Sequence, residues 1–336
     1  MMMNQGMDIS KNPVCNLVRG ERIRGKWHHN EYAIRRLLGY GATGAVYLAD
    51  SARGSVALKI GHDSMSITSE VNVLKHFSRV QGIVLGPSLI DVDDWNSTSG
   101  RYPFYVMDYL KGENVFEFLD RNGPEWFGII ILQLLNSLQK LHEAGWAFGD
   151  LKPDNLLVTG PPYKIRWIDV GGTTQLGRSI KEYTEFFDRG YWGLGSRVAE
   201  PSYDLFSAAM IMINSAYPAR FQKKAEPSRQ LFEAVRKSGK LQPYESIIKK
   251  ALQGKYKSAE EMKHDLLLLL HHDRQPAPSQ KSPPVKKPAA STAKPSPQQT
   301  TRQVRRQKKK SWAFETVLLF TFFSILYLFY MIGQTM

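Results

Sequence analysis

The sequence predicts an α+β chain with a β-rich first lobe and a helical second lobe, then a disordered Pro-rich basic linker and a C-terminal transmembrane helix. Three observations carry this reading. IRRLLGYGATGAVYLADSARGSVALKI (34–60) reads as strand, glycine turn, strand, turn, strand, and SITSEVNVLKHF (66–77) places Ile67, Val71, Leu74 and Phe77 at helical spacing. The composition is that of a globular protein from Tyr32 to about His272 and changes abruptly at Gln275. WAFETVLLFTFFSILYLFYMI (312–332) is almost wholly apolar.

The 336 residues leave room for one large domain or two small ones, and 42% hydrophobic content excludes wholesale disorder. A single cysteine, Cys15, excludes a disulfide framework and a cysteine-based metal cluster, and it suits a reducing compartment. The net charge of +14 is localised. Eleven basic residues and no acid lie between Arg274 and Lys310, and taking these eleven from the 45 Lys+Arg leaves 34 against 31 Asp+Glu. The basic balance therefore informs about the partners of one segment and says little about the folded domain.

In chain order, residues 1–29 read as a flexible leader. Met1 to Lys11 is polar and lacks the apolar stretch of a signal peptide. Residues 30–111 form the first lobe and a hinge, and residues 112–272 the second lobe. Residues 273–311 carry seven prolines from Pro276 to Pro297 among Ser, Ala, Gln and Lys, a composition that cannot bury a core. The 21 residues 312–332 match a bilayer's hydrocarbon thickness, roughly 31 Å as a helix. The competing reading, a buried core helix, lacks a core to join. Six basic residues between Arg302 and Lys310 abut one end, so the positive-inside rule puts everything N-terminal in the cytoplasm. The expectation is a single-pass, tail-anchored protein of the cell membrane.

The chemistry-bearing residues follow the strands. Gly39, Gly41 and Gly44 form G-x-G-x-x-G, a pattern shared by dinucleotide and phosphoryl-transfer folds. No helix opens after the third glycine, as a dinucleotide fold requires. Instead VALKI (56–60) reads as a third strand carrying Lys59, the order of a glycine-rich hairpin over phosphates with a lysine beside them. Glu70 on the following helix is the carboxylate for that lysine; otherwise it is a solvated helix glutamate. GWAFGDLKPDNLLV (145–158) sets Asp150, Lys152 and Asn155 at the spacing D-x-K-x-x-N, and IRWIDVGG (165–172) supplies Asp169. An aspartate to orient a hydroxyl and accept its proton, a lysine to neutralise a moving phosphoryl charge, and Asn155 with Asp169 to hold Mg²⁺ make up a phosphoryl-transfer set.

With these motifs in place, the chain resembles the bacterial Hanks-type serine/threonine protein kinases over about residues 30–272. It is most similar to their membrane-anchored sporulation branch, through FGDLKPDN, IDVGGTT, KEYTEFFDRGYWG, EPSYDLF and the terminal anchor. The resemblance implies a bilobal kinase fold, ATP and Mg²⁺ as cofactors, and phosphorylation of protein Ser/Thr. It assigns Leu38, Val46 and Ala57 to the nucleotide pocket beside Gly39, Gly41, Gly44, Lys59 and Glu70. Met107 would guard the rear of that pocket, with Asp108 to Leu110 as a hinge facing adenine. Asp204 matches the family's buried anchor of the catalytic loop.

The chain departs from the family at several places. Phe148-Gly149 replaces His-Arg before Asp150, so the arginine that receives a loop phosphate is missing. Val170 replaces phenylalanine after Asp169. The segment-ending Ala-Pro-Glu is unrecognisable, Ala199-Glu200-Pro201 being scrambled, and its late arginine partner is also absent. Peptide docking is therefore expected to differ. Thr173, Thr174, Ser179 and Thr184 lie in a segment expected to be mobile and autophosphorylated. His28-His29 and His271-His272 are not metal sites on this reading, because no acidic cluster completes them. Leu266 to Leu270 reads as a packed helix face.

Two other functions compete: a pseudokinase membrane scaffold and a small-molecule phosphotransferase. Every residue expected to touch ATP or metal is present, against the first; Lys152-Pro153-Asp154 is the protein-kinase form of the loop, against the second. The basic arm, Arg274, Lys281, Lys286, Lys287, Lys294, Arg302, Arg305, Arg306, Lys308, Lys309 and Lys310, is expected to touch anionic lipid and to bind DNA without reading its sequence. DNA gathering several copies would promote self-association and trans-autophosphorylation.

Overall fold

A computed structural model describes residues 14, 16–41, 43–77 and 86–272. All of them fall in one unit, residues 1–277. Among the described residues no helix is long and apolar enough to cross a membrane. The expected linker at 273–311 and span at 312–332 lie outside the described residues, as do Cys15 and Ala42.

The first lobe is an antiparallel sheet of β1 (Arg22–Arg24), β2 (Glu31–Gly41), β3 (Gly44–Ser51), β4 (Gly54–Gly61), β5 (Leu89–Ser97) and β6 (Gly100–Asp108), in the order β1-β2-β3-β4-β6-β5. Alternation sorts its faces. Ile34, Tyr47, Val56, Leu58, Ile60, Phe104 and Val106 build one buried cluster. Ala57, Tyr105 and Met107 turn to the other face and meet Ile67, Val71 and Leu74 of α1 (Ser64–Phe77).

The lobe begins earlier than residue 30. Among residues 1–29, expected to be a flexible leader, β1 pairs with β2, Ile23 is buried, and Tyr47 Oη donates to the Val14 carbonyl over 2.8 Å. Trp27 and His28 donate their backbone N–H groups to Asp93, at 2.9 and 2.8 Å. A Cβ on Gly25 would stand 2.3 Å from that carboxylate, so the approach needs glycine. His28 also corrects the reading that no acidic cluster stands beside the His28-His29 pair. Its Nδ1 lies 2.6 Å from Asp91 and 3.9 Å from Asp93. Asp91 also accepts from Asn30 and Tyr32, so both carboxylates are used by protein donors and fasten the N-terminal segment to β5. The hydrogen bond that His28 donates to Asp91 raises the His28 pKa above its ordinary value.

The second lobe opens with β7 (Glu113–Asn114) and α2 (Val115–Asn122), capped by Asn114 accepting from Phe116 N–H. α3 (Glu125–Glu143) buries Phe127, Ile130, Ile131, Leu134, Leu135, Leu138 and Leu141, a stripe at helical spacing. Short strands follow: β8 (Trp146–Ala147), β9 (Leu156–Thr159), β10 (Lys164–Trp167) and β11 (Thr174–Gln175), in sheets β10-β9-β7 and β11-β8. After α4 (Arg189–Trp192) comes α5 (Pro201–Ala216), buried continuously from Tyr203 to Asn214, which makes it the lobe's central helix. α6 (Pro227–Lys237), α7 (Glu245–Leu252) and α8 (Ala259–His272) complete the lobe. In α8 Leu266 is buried and Leu269 and Leu270 pack on the core, whereas Leu267 and Leu268 face outward, so the leucine run is a packed stripe on one face only.

Candidate active site

The glycine hairpin is the turn from β2 to β3. Added Cβ atoms at Gly39 and Gly41 would meet nothing within 4 Å, so these two leave open backbone above the cleft. Gly44 is glycine for a different reason. Its φ is +150° and a Cβ would lie 2.1 Å from the Ile60 carbonyl on β4. Leu38 is partly exposed on this hairpin, Val46 half-buried, and Ala57 and Met107 buried below it. At the hinge, Asp108 and Leu110 are half-buried, and Asp108 donates its N–H to Ser88 O over 3.0 Å.

Lys59 faces α1 from β4. Its Nζ lies 2.7 and 2.6 Å from the two Glu70 oxygens, with both side chains buried. The short loop from Gly61 to Ser64 brings Glu70, on the helix's second turn, within reach despite the small sequence gap. Tyr105 of β6, opposite Lys59 in the sheet, donates its hydroxyl to Glu70 over 2.8 Å. The sequence reading missed Tyr105; the alternation YPFYVMD, which puts it on the Met107 face, was the available signal. Burial pushes the Lys59 ammonium down, but Asp169 and Glu70 beside it prevail and hold it above its ordinary value.

The other wall is the loop from Phe148 to Asn155. Asp204, fully buried on α5, accepts the N–H groups of Phe148 and Gly149 at 2.7 and 3.0 Å, and lies 2.9 Å from His142 Nε2. Gly149 has φ +81°, and a Cβ there would stand 2.5 Å from the Gly172 carbonyl. The residue that replaces the family's arginine thus sits where an L side chain is strained. Phe148 packs edge-on against Trp167, 4.9 Å between ring centres, and Val170 is buried in the same core.

Asp150 follows, ion-paired to Lys152. Thr184 donates its hydroxyl to Asp150 over 2.9 Å and accepts from Lys152 at 3.0 Å. The sequence reading had Thr184 only as a phosphorylation candidate. Asn155, in the 3₁₀ turn Pro153–Asn155, donates its amide to the Asp150 carbonyl over 2.9 Å. Asp169 accepts from Gly171 N–H at 2.9 Å. Burial raises the Glu182 pKa, and Asp169 adds to this.

This arrangement fits a divalent cation and a polyphosphate. Asn155 spends its amide nitrogen on the backbone, so its oxygen is the atom for a cation. Asp169 is a partly exposed carboxylate, and hard oxygen donors of this kind suit Mg²⁺. The carboxylates of Glu70, Asp150, Asp169 and Glu182 outnumber the ammonium groups of Lys59 and Lys152.

The segment from Asp169 to Glu200 differs from its expected mobile, accessible form. Thr173 and Thr174 are fully buried, Thr174 donating to Gly172 O, and Thr184 is held at Asp150; of the four hydroxyls named, Ser179 is the exposed one. The missing Ala-Pro-Glu contact is replaced by local ion pairs. Buried Asp188 pairs with Arg197 at 2.6 Å and takes the Tyr203 hydroxyl at 2.9 Å, and Arg189 pairs with Glu200 at 2.6 Å.

Comparison with known proteins agrees with this geometry. A family model described as the protein kinase domain matches residues 32–282. The chain is 53% identical over 268 residues to the serine/threonine-protein kinase YabT of Bacillus subtilis, covering 79% of this chain and 78% of that protein. It is 27% identical over 135 residues to the serine/threonine-protein kinase PkaB of Streptomyces coelicolor, covering 38% of this chain and 32% of that protein. It is 29% identical over 164 residues to the serine/threonine-protein kinase PknE of Mycobacterium bovis, covering 44% and 28% respectively.

Proposed function

The chain belongs to the protein kinase family and is a protein serine/threonine kinase; from that premise we propose which of its residues perform the transfer and where in the cell they do so. The observation that carries the assignment is the convergence on one cleft of Lys59–Glu70 from the first lobe and Asp150, Lys152, Asn155 and Asp169 from the second. In this reading ATP lies under the Gly39–Gly41 hairpin. Lys59, fixed by Glu70, binds its phosphates. Asn155 and Asp169 would hold Mg²⁺, which when bound would neutralise phosphate charge. Asp150 orients the substrate serine or threonine hydroxyl and takes its proton, and Lys152 offsets the charge moving on the transferred phosphoryl group. Catalysis here is positioning and charge stabilisation. Thr184 fixes Asp150 and Lys152 from the segment side.

The proposal extends to place and control. The apolar residues 312–332 beside the basic run 302–310 support a single membrane span with the kinase domain cytoplasmic. The eleven basic residues of 274–310 support contact with anionic lipid and with DNA held by counterion release, and DNA so bound would gather copies for trans-autophosphorylation. Ser179 is the exposed acceptor for that reaction. The assembled Lys59–Glu70 pair supports a working enzyme over a scaffold.

The test is incubation of the full chain in detergent micelles with γ-labelled ATP, Mg²⁺ and a basic protein, with and without long duplex DNA at two salt concentrations. The reading expects label on serine and threonine, with a stimulation by DNA that high salt erases. Absence of labelled protein overturns the enzyme assignment. A DNA response that survives changing all eleven basic residues to Gln overturns the DNA role alone.

A further inference from the structure

Where the family pattern has an arginine, this chain has Gly149, and the side chain that lies nearest to Gly149 is apolar. The atoms nearest to a Cβ built there are the Gly172 carbonyl and Ile180 Cδ1, the latter at 3.5 Å. Ile180 is 7% exposed and belongs to one buried cluster with Ala147, Ala199 and Tyr203. That cluster joins three parts of the site: the strand before the catalytic loop, the segment after Asp169, and the start of α5, which holds Asp204.

The backbone around Ile180 is fastened from both sides. Ile180 N–H donates to Arg197 O at 2.8 Å, Ala199 N–H to Arg178 O at 2.7 Å, and Ser179 pairs with Val198 in an antiparallel bridge. One residue on, Lys181 donates to Ser69 of α1 over 3.2 Å, a neighbour of Glu70. Four residues on, Thr184 reaches Asp150.

We propose that Ile180 is a positioning residue for phosphoryl transfer. It seats the segment on Gly149 by apolar burial and thereby holds Thr184 on Asp150 and Lys181 on α1, so that the enzyme is competent without a phosphate in residues 173–184. Phosphate added to Ser179 is then a mark on an already seated segment. The buried contact does the work that a guanidinium and a phosphate would otherwise share, and it is present as soon as the chain folds.

The experiment uses the full chain in detergent micelles. Wild-type protein stripped by phosphatase, with the phosphatase removed, is expected to phosphorylate a basic protein linearly from the first time point, with kcat within about twofold of untreated enzyme. Ile180→Ala is expected to lower kcat about tenfold while the ATP KM stays within about twofold, because orientation of Asp150 is lost and nucleotide contacts are not. Ile180→Val, which refills most of the cavity, is expected to recover most of the rate. A wild-type kcat in Ile180→Ala, or a rise in ATP KM with kcat unchanged, overturns the proposal. Should Ile180→Ala not melt cooperatively, the phosphatase-treated wild type decides: a lag abolished by preincubation with ATP, or a loss of activity beyond about twofold, overturns it.

Discussion

Replacing Gly149 with alanine adds one methyl group at the joint between the catalytic loop and the segment after Asp169. Two costs are readable from the structure. A non-glycine residue at φ +81° loses about 1–2 kcal/mol to left-handed backbone strain. The methyl would also lie 2.5 Å from the Gly172 carbonyl, a backbone atom that cannot rotate away, and forcing extra volume into packed structure costs about 1–3 kcal/mol. Together the loss is about 2–5 kcal/mol, which at roughly 2–4 °C per kcal/mol lowers Tm by on the order of 10 °C. The displaced atoms adjoin Asp150, so kcat should fall by about tenfold or more below the melting range. Gly145→Ala is the control. Its φ is +86° but nothing lies within 4 Å of its Cβ, so it should lose only the strain component and keep its rate. The assay is thermal melting and initial rates of phosphoryl transfer for the three proteins. Gly149→Ala matching wild type in both Tm and kcat would refute the argument that glycine is required there.

Two further outcomes are expected. Glu70→Gln leaves a buried ammonium to the more distant charges of Asp169 and Glu182, and should cost about 3 kcal/mol, the low end for breaking a buried pair, with a raised ATP KM; Tyr105→Phe should lose about 1.5–3 kcal/mol as one hydrogen bond to a charged group, both measured by denaturant unfolding. His28 has a pKa raised by Asp91, so its stabilising contribution is complete below about 6.5 and disappears as pH rises through the higher folded value; Tm should therefore fall more steeply between about pH 6 and 8 in wild type than in His28→Gln, and equal slopes would exclude the contact.

The residues legible in the sequence are those whose geometry is fixed over a few positions. Asp150, Lys152 and Asn155 share one short loop, and Lys59 and Glu70 lie on a strand and the helix that directly follows it, so spacing alone brings each set together. What was not legible depends on long-range closure. Thr184 meets Asp150 across 34 residues, and His28 meets Asp91 across 63. β1 has three residues, too few for a periodicity; it is held by pairing with β2, and the residues after it by Asp93, which accepts the N–H groups of Trp27 and His28. The segment from Thr173 to Thr184 is rich in hydroxyls and reads as accessible, yet burial of Ile180 draws it against the catalytic loop. Asp188 and Arg197 replace a family ion pair with partners nine residues apart, and no spacing rule of the family points to them.

The central claim, that Asp150 serves phosphoryl transfer to protein hydroxyls, is tested most directly by one comparison: the initial rate at which full-length wild type and Asp150→Asn pass labelled phosphate from ATP to a basic protein. Asparagine keeps the shape that Thr184 and Lys152 hold but cannot accept the substrate proton. The account predicts a loss of about 10²–10⁴ in rate, with the melting shift induced by Mg²⁺ and ATP retained. Near-normal transfer by Asp150→Asn would contradict it.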